Sequence, residues 1–534
     1  MPPDKTAVPH SPVSVDSTAE PLIKGLLAPA AFDHEVSRVE LIETHISWLI
    51  LTDEFAYKLK KPMVLDFLDF GDLEKRRHYC EEEVRLNKRY APELYIDVVP
   101  VTVVDGQPRF GGSGEPVEFA VRMHRFDQSL RLDRQLEDGK LTAADMNELG
   151  LAIAERHRLA PRVGAEKRDR VLRLTRQFMF DNFTALETAI DPALLGRLGG
   201  WTEAELQKHA KLLAERFDDG YVRDCHGDLH LGNLVRLEAG ITTFDCIEFN
   251  EDLRHIDVMA DVAFLVMDLV ERSHSELAAH FLNRYLEAGG DYGGVTVLNL
   301  FFVYRCLVRA KVAVIRASGR DDIDGEAADL AEAREYCHMA ARQAEHRKPV
   351  LVLMHGFSGS GKTRVAGELM AALPAIRLRS DVERKRMFGI EESASSKSGI
   401  GTGIYSGPAS DRVYARLFDL AGALLAGEHS VILDAAFLDA RRRGDALAVA
   451  RGARCPALIV NVTAPDSVLR RRLRDRAGAR RDVSEADVTV LEHQLAHADE
   501  LSEVERRITV DCDNSVSPDV GELVMKVSHA VTDR

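Results

Sequence analysis

Two stretches of this 534-residue chain carry the residue types that handle phosphate and divalent cations. The first is Gly356-Phe-Ser-Gly-Ser-Gly361-Lys362-Thr363, which fits G-x-x-x-x-G-K-[ST]. Gly356, Gly359 and Gly361, with the small Ser358 and Ser360 between them, let successive backbone N–H groups turn inward and cradle phosphate oxygens at a helix N-terminus. Lys362 then reaches the β- and γ-phosphates, and the Thr363 hydroxyl ligates Mg2+. Two acids follow at the ends of apolar runs, Asp381 after Ile376-Arg-Leu-Arg379 and Asp434 after Val431-Ile-Leu433. Ligands of open α/β sheets bind beyond the carboxyl ends of the strands, so both acids are expected at the same site, with Asp434 on the metal side.

The second stretch reads His226-Gly-Asp228-Leu-His230-Leu-Gly-Asn233, followed by Phe244-Asp245-Cys-Ile-Glu248. Phosphoryl transfer to a hydroxyl needs one carboxylate to orient the hydroxyl and accept its proton, and a carboxylate and an amide to hold Mg2+ against the phosphates. Asp228, Asp245 and Asn233 supply those groups at spacings that suit a loop followed by a β-hairpin. His226 and His230 lack a third metal ligand at suitable spacing, which favours a structural loop role.

The elements that must position these residues differ between the two halves. Downstream of residue 349, apolar runs at 350–354, 376–378, 431–433, 458–462 and 508–510 alternate with helical patterns such as 365–373 and 413–425. This alternation predicts βαβ units and an α/β domain with a parallel sheet. Upstream, strands come first, at 47–51, 55–59, 95–104 and 117–123, the last two joined through the turn dipeptide Asp105-Gly106. A charged helix at 73–90 lies between the pairs, and after residue 140 the pattern is mainly helical. An α+β bilobal unit is expected. The division reads as a disordered tail over 1–20, rich in proline and serine, a first domain over 21–337, a polar linker over 338–349 and a second domain over 350–534.

Residues 349–534 resemble the small P-loop kinases related to polynucleotide kinase, adenylylsulfate kinase and gluconate kinase. That resemblance makes Asp381 the residue that binds or deprotonates the acceptor hydroxyl. It also implies a helical lid with R-x-x-x-R, met by Arg472-Leu-Arg-Asp-Arg476 after Ala464-Pro465. Arg472 and Arg476 would neutralise charge on the transferring phosphoryl group, with Arg474, Arg480 and Arg481 as neighbours able to share the role.

Residues 25–330 resemble the aminoglycoside phosphotransferase and choline kinase branch of the protein-kinase-like fold, whose loop is H-G-D-x-x-x-x-N followed by an I-D-x-E-type metal motif. The resemblance makes His226 structural, Asp228 the catalytic base, and Asn233 and Asp245 the Mg2+ ligands. It also implies a strand lysine, best matched by Lys58 in Phe55-Ala-Tyr-Lys58, that pairs the α/β-phosphates and a helix glutamate. Lys60 lies on the same side of the strand and competes. Glu83, within Cys80-Glu-Glu-Glu-Val-Arg-Leu86, is the expected partner, with Glu82 the other choice. Residues 34–54 contain no glycine, so the G-x-G-x-x-G loop of protein kinases is absent. An acidic pocket for a cationic acceptor is conceivable from Asp252, Asp257 and Asp261, although Asp261 fits better as a brace of the catalytic loop.

Composition narrows the function classes. A formal charge of −16 opposes general nucleic-acid binding, which needs a basic face. Seven scattered cysteines with no C-x-x-C pair indicate neither a disulfide framework nor a zinc site and suit a reducing cytoplasm. No run approaches the ~18 apolar residues of a membrane helix. The expectation is an ATP- and Mg2+-dependent kinase with two ATP sites and small-molecule hydroxyl substrates. In the alternative, the first domain is a non-catalytic nucleotide sensor that regulates a P-loop kinase acting on a metabolite, a nucleotide-sugar or a nucleic-acid end.

Overall fold

The computed structural model describes residues 19–532 apart from 66–67, 321, 392–393, 395, 397–401, 480–485 and 517–519; the side chains of 476–479, 520 and 528–532 also lie outside that description. Strands β1 (Glu40–Glu43), β2 (Ser47–Leu51) and β3 (Phe55–Lys60) pair antiparallel in series. A small hairpin, β4 (Val64–Leu65) with β5 (Leu68–Asp69), follows. Strands β6 (Tyr95–Val104), β7 (Gln107–Phe110) and β8 (Pro116–His124) complete a six-stranded sheet in the order β1-β2-β3-β8-β6-β7. Asp105-Gly106 joins β6 to β7, not to β8 as the sequence suggested. Both turn residues have positive φ, as a two-residue hairpin requires. The intervening strand escapes a hydrophobicity pattern because Gln107-Pro-Arg-Phe110 has little apolar alternation.

Helix Leu73–Asn87 starts on Asp72, whose carboxylate accepts the Lys75 N–H at 2.8 Å. It packs on the sheet through Cys80, which shares an apolar cluster with Tyr95, Phe119 and Val121. The helical lobe is built from Ala143–Leu159, Arg168–Leu186, Pro192–Asp218, Val258–Glu271, Ser275–Gly289, Val295–Ser318 and Ile323–Ala344. Two short ladders cross it: β9 (Val222–Asp224) pairs β12 (His255–Asp257), and β10 (Leu234–Leu237) pairs β11 (Gly240–Thr243). They frame the loop at 225–233. Helix Val258–Glu271 begins where it does because Ile256 is held in the ladder and the Asp257 carboxylate caps Met259 N at 2.9 Å.

The C-terminal unit is a five-stranded parallel sheet, β13 (Leu351–His355), β14 (Ala375–Arg379), β15 (Ser430–Asp434), β16 (Ala457–Thr463) and β17 (Thr509–Asp513), in the order β14-β15-β13-β16-β17. Its central strands are continuous apolar runs because helices cover both faces. Alternate residues of β13 serve different cores: Leu351 and Leu353 join one cluster, Val352 and Met354 another. The first of these clusters runs without interruption into the helical lobe through Phe281, Leu282 and Tyr285.

The stretch read as a linker, 338–349, is helical as far as Ala344. Its polar residues form the outer side of a helix whose Cys337, Met339 and Ala340 are buried. No helix among the described residues is long and apolar enough to cross a membrane.

Candidate active sites

Strand β3 turns Lys58 and Lys60, two residues apart, to the same side, and both reach Glu83. Lys58 Nζ donates to Glu83 Oε1 at 2.9 Å and Lys60 Nζ to Oε2 at 2.7 Å. Lys58 also pairs with Asp245 at 2.5 Å, whereas Lys60 is sealed against Glu248. Lys58 thus faces the metal-motif aspartate, and Lys60 anchors the base of the pair. Glu82 turns away to Arg85 on the helix surface. Burial alone would raise the Glu83 carboxyl, but Lys58 and Lys60 outweigh it and hold it down to about 2. Burial likewise opposes the Lys58 charge, yet Asp245 and Glu83 keep that ammonium well above its ordinary value.

The loop after β9 is held by groups behind it. Asp261 accepts the His226 and Gly227 N–H groups at 2.9 and 3.0 Å, and Asp268 accepts Leu231 N–H at 2.8 Å. His226 Nε2 lies 2.9 Å from the Phe244 carbonyl oxygen, and its Nδ1 lies 3.3 Å from Asp228 N. The ring therefore carries its proton on Nε2 and is neutral, in line with burial pushing its pKa down. Asn233 Nδ2 donates to Asp228 Oδ2 at 2.9 Å and to the Asp228 carbonyl at 3.0 Å. Burial would raise the Asp228 carboxyl, but His230, His226 and Arg305 hold it below its usual value. Asp245 sits at φ 60°, an uncommon conformation for a non-glycine, fixed by the Lys58 pair and by its N–H donating to Tyr95 Oη at 3.1 Å. Lys58, Glu83 and Asp245 thus form one linked set and Asp228 with Asn233 another, and the two meet where Phe244, next to Asp245, donates its N–H to the Asn233 carbonyl at 3.0 Å.

The acids considered for a cationic acceptor are engaged elsewhere. Asp252 pairs with Arg170, Asp257 with Arg216, and Asp261 with the loop.

In the second site, Gly361 has φ 90° and begins helix Lys362–Ala372. A Cβ there would stand 2.1 Å from Asn514 Nδ2, and one on Gly356 (φ 139°) 2.3 Å from the Val462 carbonyl. Lys362 Nζ donates to the Phe357 carbonyl at 2.8 Å, curling over the loop. Thr363 Oγ1 is 3.3 Å from Asp434 Oδ1. Asp434 is buried, and that burial raises its carboxyl despite Arg377, Arg379 and Lys362 nearby. Asp381 opens helix Ser380–Met387, partly buried, and its charge adds to the rise at Asp434.

Two buried oxygens, Asp434 Oδ2 and Ser360 Oγ, have no hydrogen-bond partner among the described residues. With the glycine cradle, they fit a phosphate chain carrying a hard divalent cation.

Arg472 departs from the lid role. Its guanidinium donates to the Gly359, Ser360 and Asn514 carbonyls at 3.4, 3.3 and 2.7 Å, bracing the loop by its carbonyl side. The Arg476 side chain, Arg480 and Arg481 lie outside the described residues. Sequence reasoning missed Asn514, which donates to the Ser360 carbonyl at 2.6 Å, and Gln494, which accepts Ser358 N–H at 2.8 Å. It quoted Glu248 without assigning it a place, although its position three residues after Asp245 was a usable signal.

Residues 66–298 match the model of the phosphotransferase enzyme family, and residues 351–501 match that of an AAA domain. The first unit is accordingly similar to the phosphotransferase family and the second to P-loop AAA-type domains, in that order along the chain. The chain is similar to the uncharacterized protein Rv2004c of Mycobacterium tuberculosis, 27% identical over 450 residues, which span 84% of this chain and 88% of that protein. Among solved structures, a gluconokinase from Sinorhizobium meliloti 1021 aligns with 35% of this chain and 94% of its own, at 22% identity and TM-score 0.24. A choline/ethanolamine kinase family protein from Mesorhizobium loti aligns with 61% of this chain and 97% of its own, at 10% identity and TM-score 0.37.

Proposed function

We propose that the chain is an ATP-dependent phosphotransferase with two Mg2+-ATP sites, each passing the γ-phosphoryl group to a hydroxyl of a small molecule. The observation that supports this reading is the Lys58–Glu83–Asp245 network, joined through the Phe244 N–H on the Asn233 carbonyl to the Asp228–Asn233 pair. The presence of Asp228 together with the nucleotide and Mg2+ residues supports catalysis over nucleotide sensing alone.

At this first site Lys58 grips the nucleotide phosphates, Asn233 and Asp245 hold Mg2+, and Asp228 orients the acceptor hydroxyl and takes its proton. The charge kept on Asp228 by His230, His226 and Arg305 suits it to orienting the acceptor hydroxyl. At the second site the loop N–H groups and Lys362 hold the phosphates, Thr363 and Asp434 hold Mg2+, and Asp381 receives the acceptor. Arg472 supports the loop, and Arg476 is the lid arginine that would meet the transferring group. Bound Mg2+ draws the phosphate oxygens' charge and orients them for in-line transfer.

The acceptor at the first site is not selected by an anionic pocket, since Asp252, Asp257 and Asp261 are neutralised within the protein. We place the reaction in the cytoplasm, with no membrane or nucleic-acid partner, on the acidic balance and free thiols. A second reading, in which the first unit senses nucleotide and regulates the second, is favoured by one observation: helix Ser275–Gly289 supports the edge of the P-loop sheet.

A metabolite-pool screen with γ-labelled ATP, run on wild type, Asp228→Ala and Lys362→Ala, tests the proposal. Two products, each lost in one variant, are expected. If Asp228→Ala leaves every product and the ATP affinity unchanged, the two-kinase reading fails.

A further inference from the structure

The P-loop sheet has an edge at β14, and the kinase-like unit covers it. Asn283, on helix Ser275–Gly289, substitutes for a neighbouring strand: its Oδ1 accepts Arg377 N–H at 2.7 Å and its Nδ2 donates to the Ala375 carbonyl at 3.0 Å. One turn further along that helix, Glu287 is 3% exposed. It accepts from Arg377 Nη2 at 2.7 Å and Nε at 3.1 Å, and lies 3.6 Å from Arg379 Nη1 and 3.7 Å from Arg284 Nη1.

Arg377 and Arg379 stand two residues apart on the same side of β14, and both continue to the phosphate site. Arg377 Nη1 donates to the Thr363 carbonyl at 3.4 Å, and Arg379 Nε stands 3.8 Å from Asp434 Oδ2. A partly buried guanidinium seeks a carboxylate, and Arg379 stands within ion-pair distance of both Glu287 and Asp434. If Arg379 closed onto Asp434 with hydrogen-bond geometry, it would cancel the charge that a divalent cation needs.

We infer that Glu287, supplied by the kinase-like unit, is a positioning residue of the P-loop site. It holds Arg377 and Arg379 back so that Asp434 stays available to Mg2+, and the cation requirement of one unit is set by the helical lobe of the other. The inference rests on reading Gly356–Thr363 as an Mg2+-nucleotide site.

The test uses the full chain and follows fluorescent-ATP binding against Mg2+ concentration, taking the portion abolished by Lys362→Ala as the P-loop signal. Glu287→Gln is expected to raise the Mg2+ needed for half-maximal signal about tenfold, the equivalent of about 1.4 kcal/mol, with full signal recovered at saturating Mg2+. Adding Arg379→Gln to Glu287→Gln should return the requirement towards wild type, which a merely structural role would not do. Should Glu287→Gln melt below the assay temperature, Arg379→Gln alone decides, and it should bring the requirement below that of wild type. An unchanged Mg2+ requirement in the folded variants, or a loss that neither Mg2+ nor Arg379→Gln repairs, overturns the inference. Absence of any Lys362-dependent signal in wild type would instead overturn the nucleotide reading of the loop, and this inference with it.

Discussion

At the scale of single residues, His226 makes the catalytic loop sensitive to acid. Its buried ring is neutral, donating from Nε2 to Phe244 O and accepting at Nδ1 from Asp228 N–H. Burial depresses its folded pKa more than Asp261 and Asp228 restore it, so protons prefer the unfolded chain. The stability it contributes is complete above the ordinary histidine value of about 6.5 and is lost as pH falls below it. Thermal midpoints measured from pH 7.5 to 5 should fall less steeply for His226→Gln than for wild type. The comparison is needed because other buried histidines, His429 among them with its pKa pushed to about 4, act in the same direction. Identical slopes would remove His226 from this role. The residues proposed to do the chemistry were legible because their spacing is fixed by what phosphate and Mg2+ require. Those that hold them, Asn514, Gln494 and Glu287, were not, since their partners lie 154, 136 and 90 residues away.

At the scale of elements, the loop at 225–233 depends on helix Val258–Glu271 behind it. Asp261→Ala would leave the His226 and Gly227 N–H groups buried and unpaired, at about 1–3 kcal/mol each. A loss of about 3 kcal/mol in urea unfolding is expected, together with loss of Asp228-dependent turnover. A change below about 0.5 kcal/mol would mean the loop holds itself. The parallel sheet could be read from its uninterrupted apolar runs, and β2, β3, β6 and β8 from their alternation. Three details could not. Strand β7 is polar and carries Pro108, Asp257 belongs to a cap and not a helix, and the polar stretch at 338–344 is the solvent side of a helix. Strand β7 is decided by its hairpin with β6, whereas Asp257 pairs with Val222 and Gln343 with Asn299, partners distant in sequence that local patterning does not contain.

At the scale of the whole molecule, the continuous apolar cluster makes separation of the two units costly. Phe281, Leu282 and Tyr285 on one side share it with Ile376 and Leu378 on the other. Expressed alone, residues 345–534 should aggregate or bind a hydrophobic dye, and co-expression with 19–344 should suppress this. A monomeric fragment with an unaltered melting point would contradict that view of the interface.

The central claim is that one chain carries two Mg2+-ATP sites, and equilibrium titration with a non-hydrolysable ATP analogue in Mg2+ tests it most directly. The account predicts two molecules bound per chain, falling to one in Lys362→Ala and to one in Asp245→Ala. A single molecule bound by wild type, or a stoichiometry that either substitution leaves at two, would contradict it.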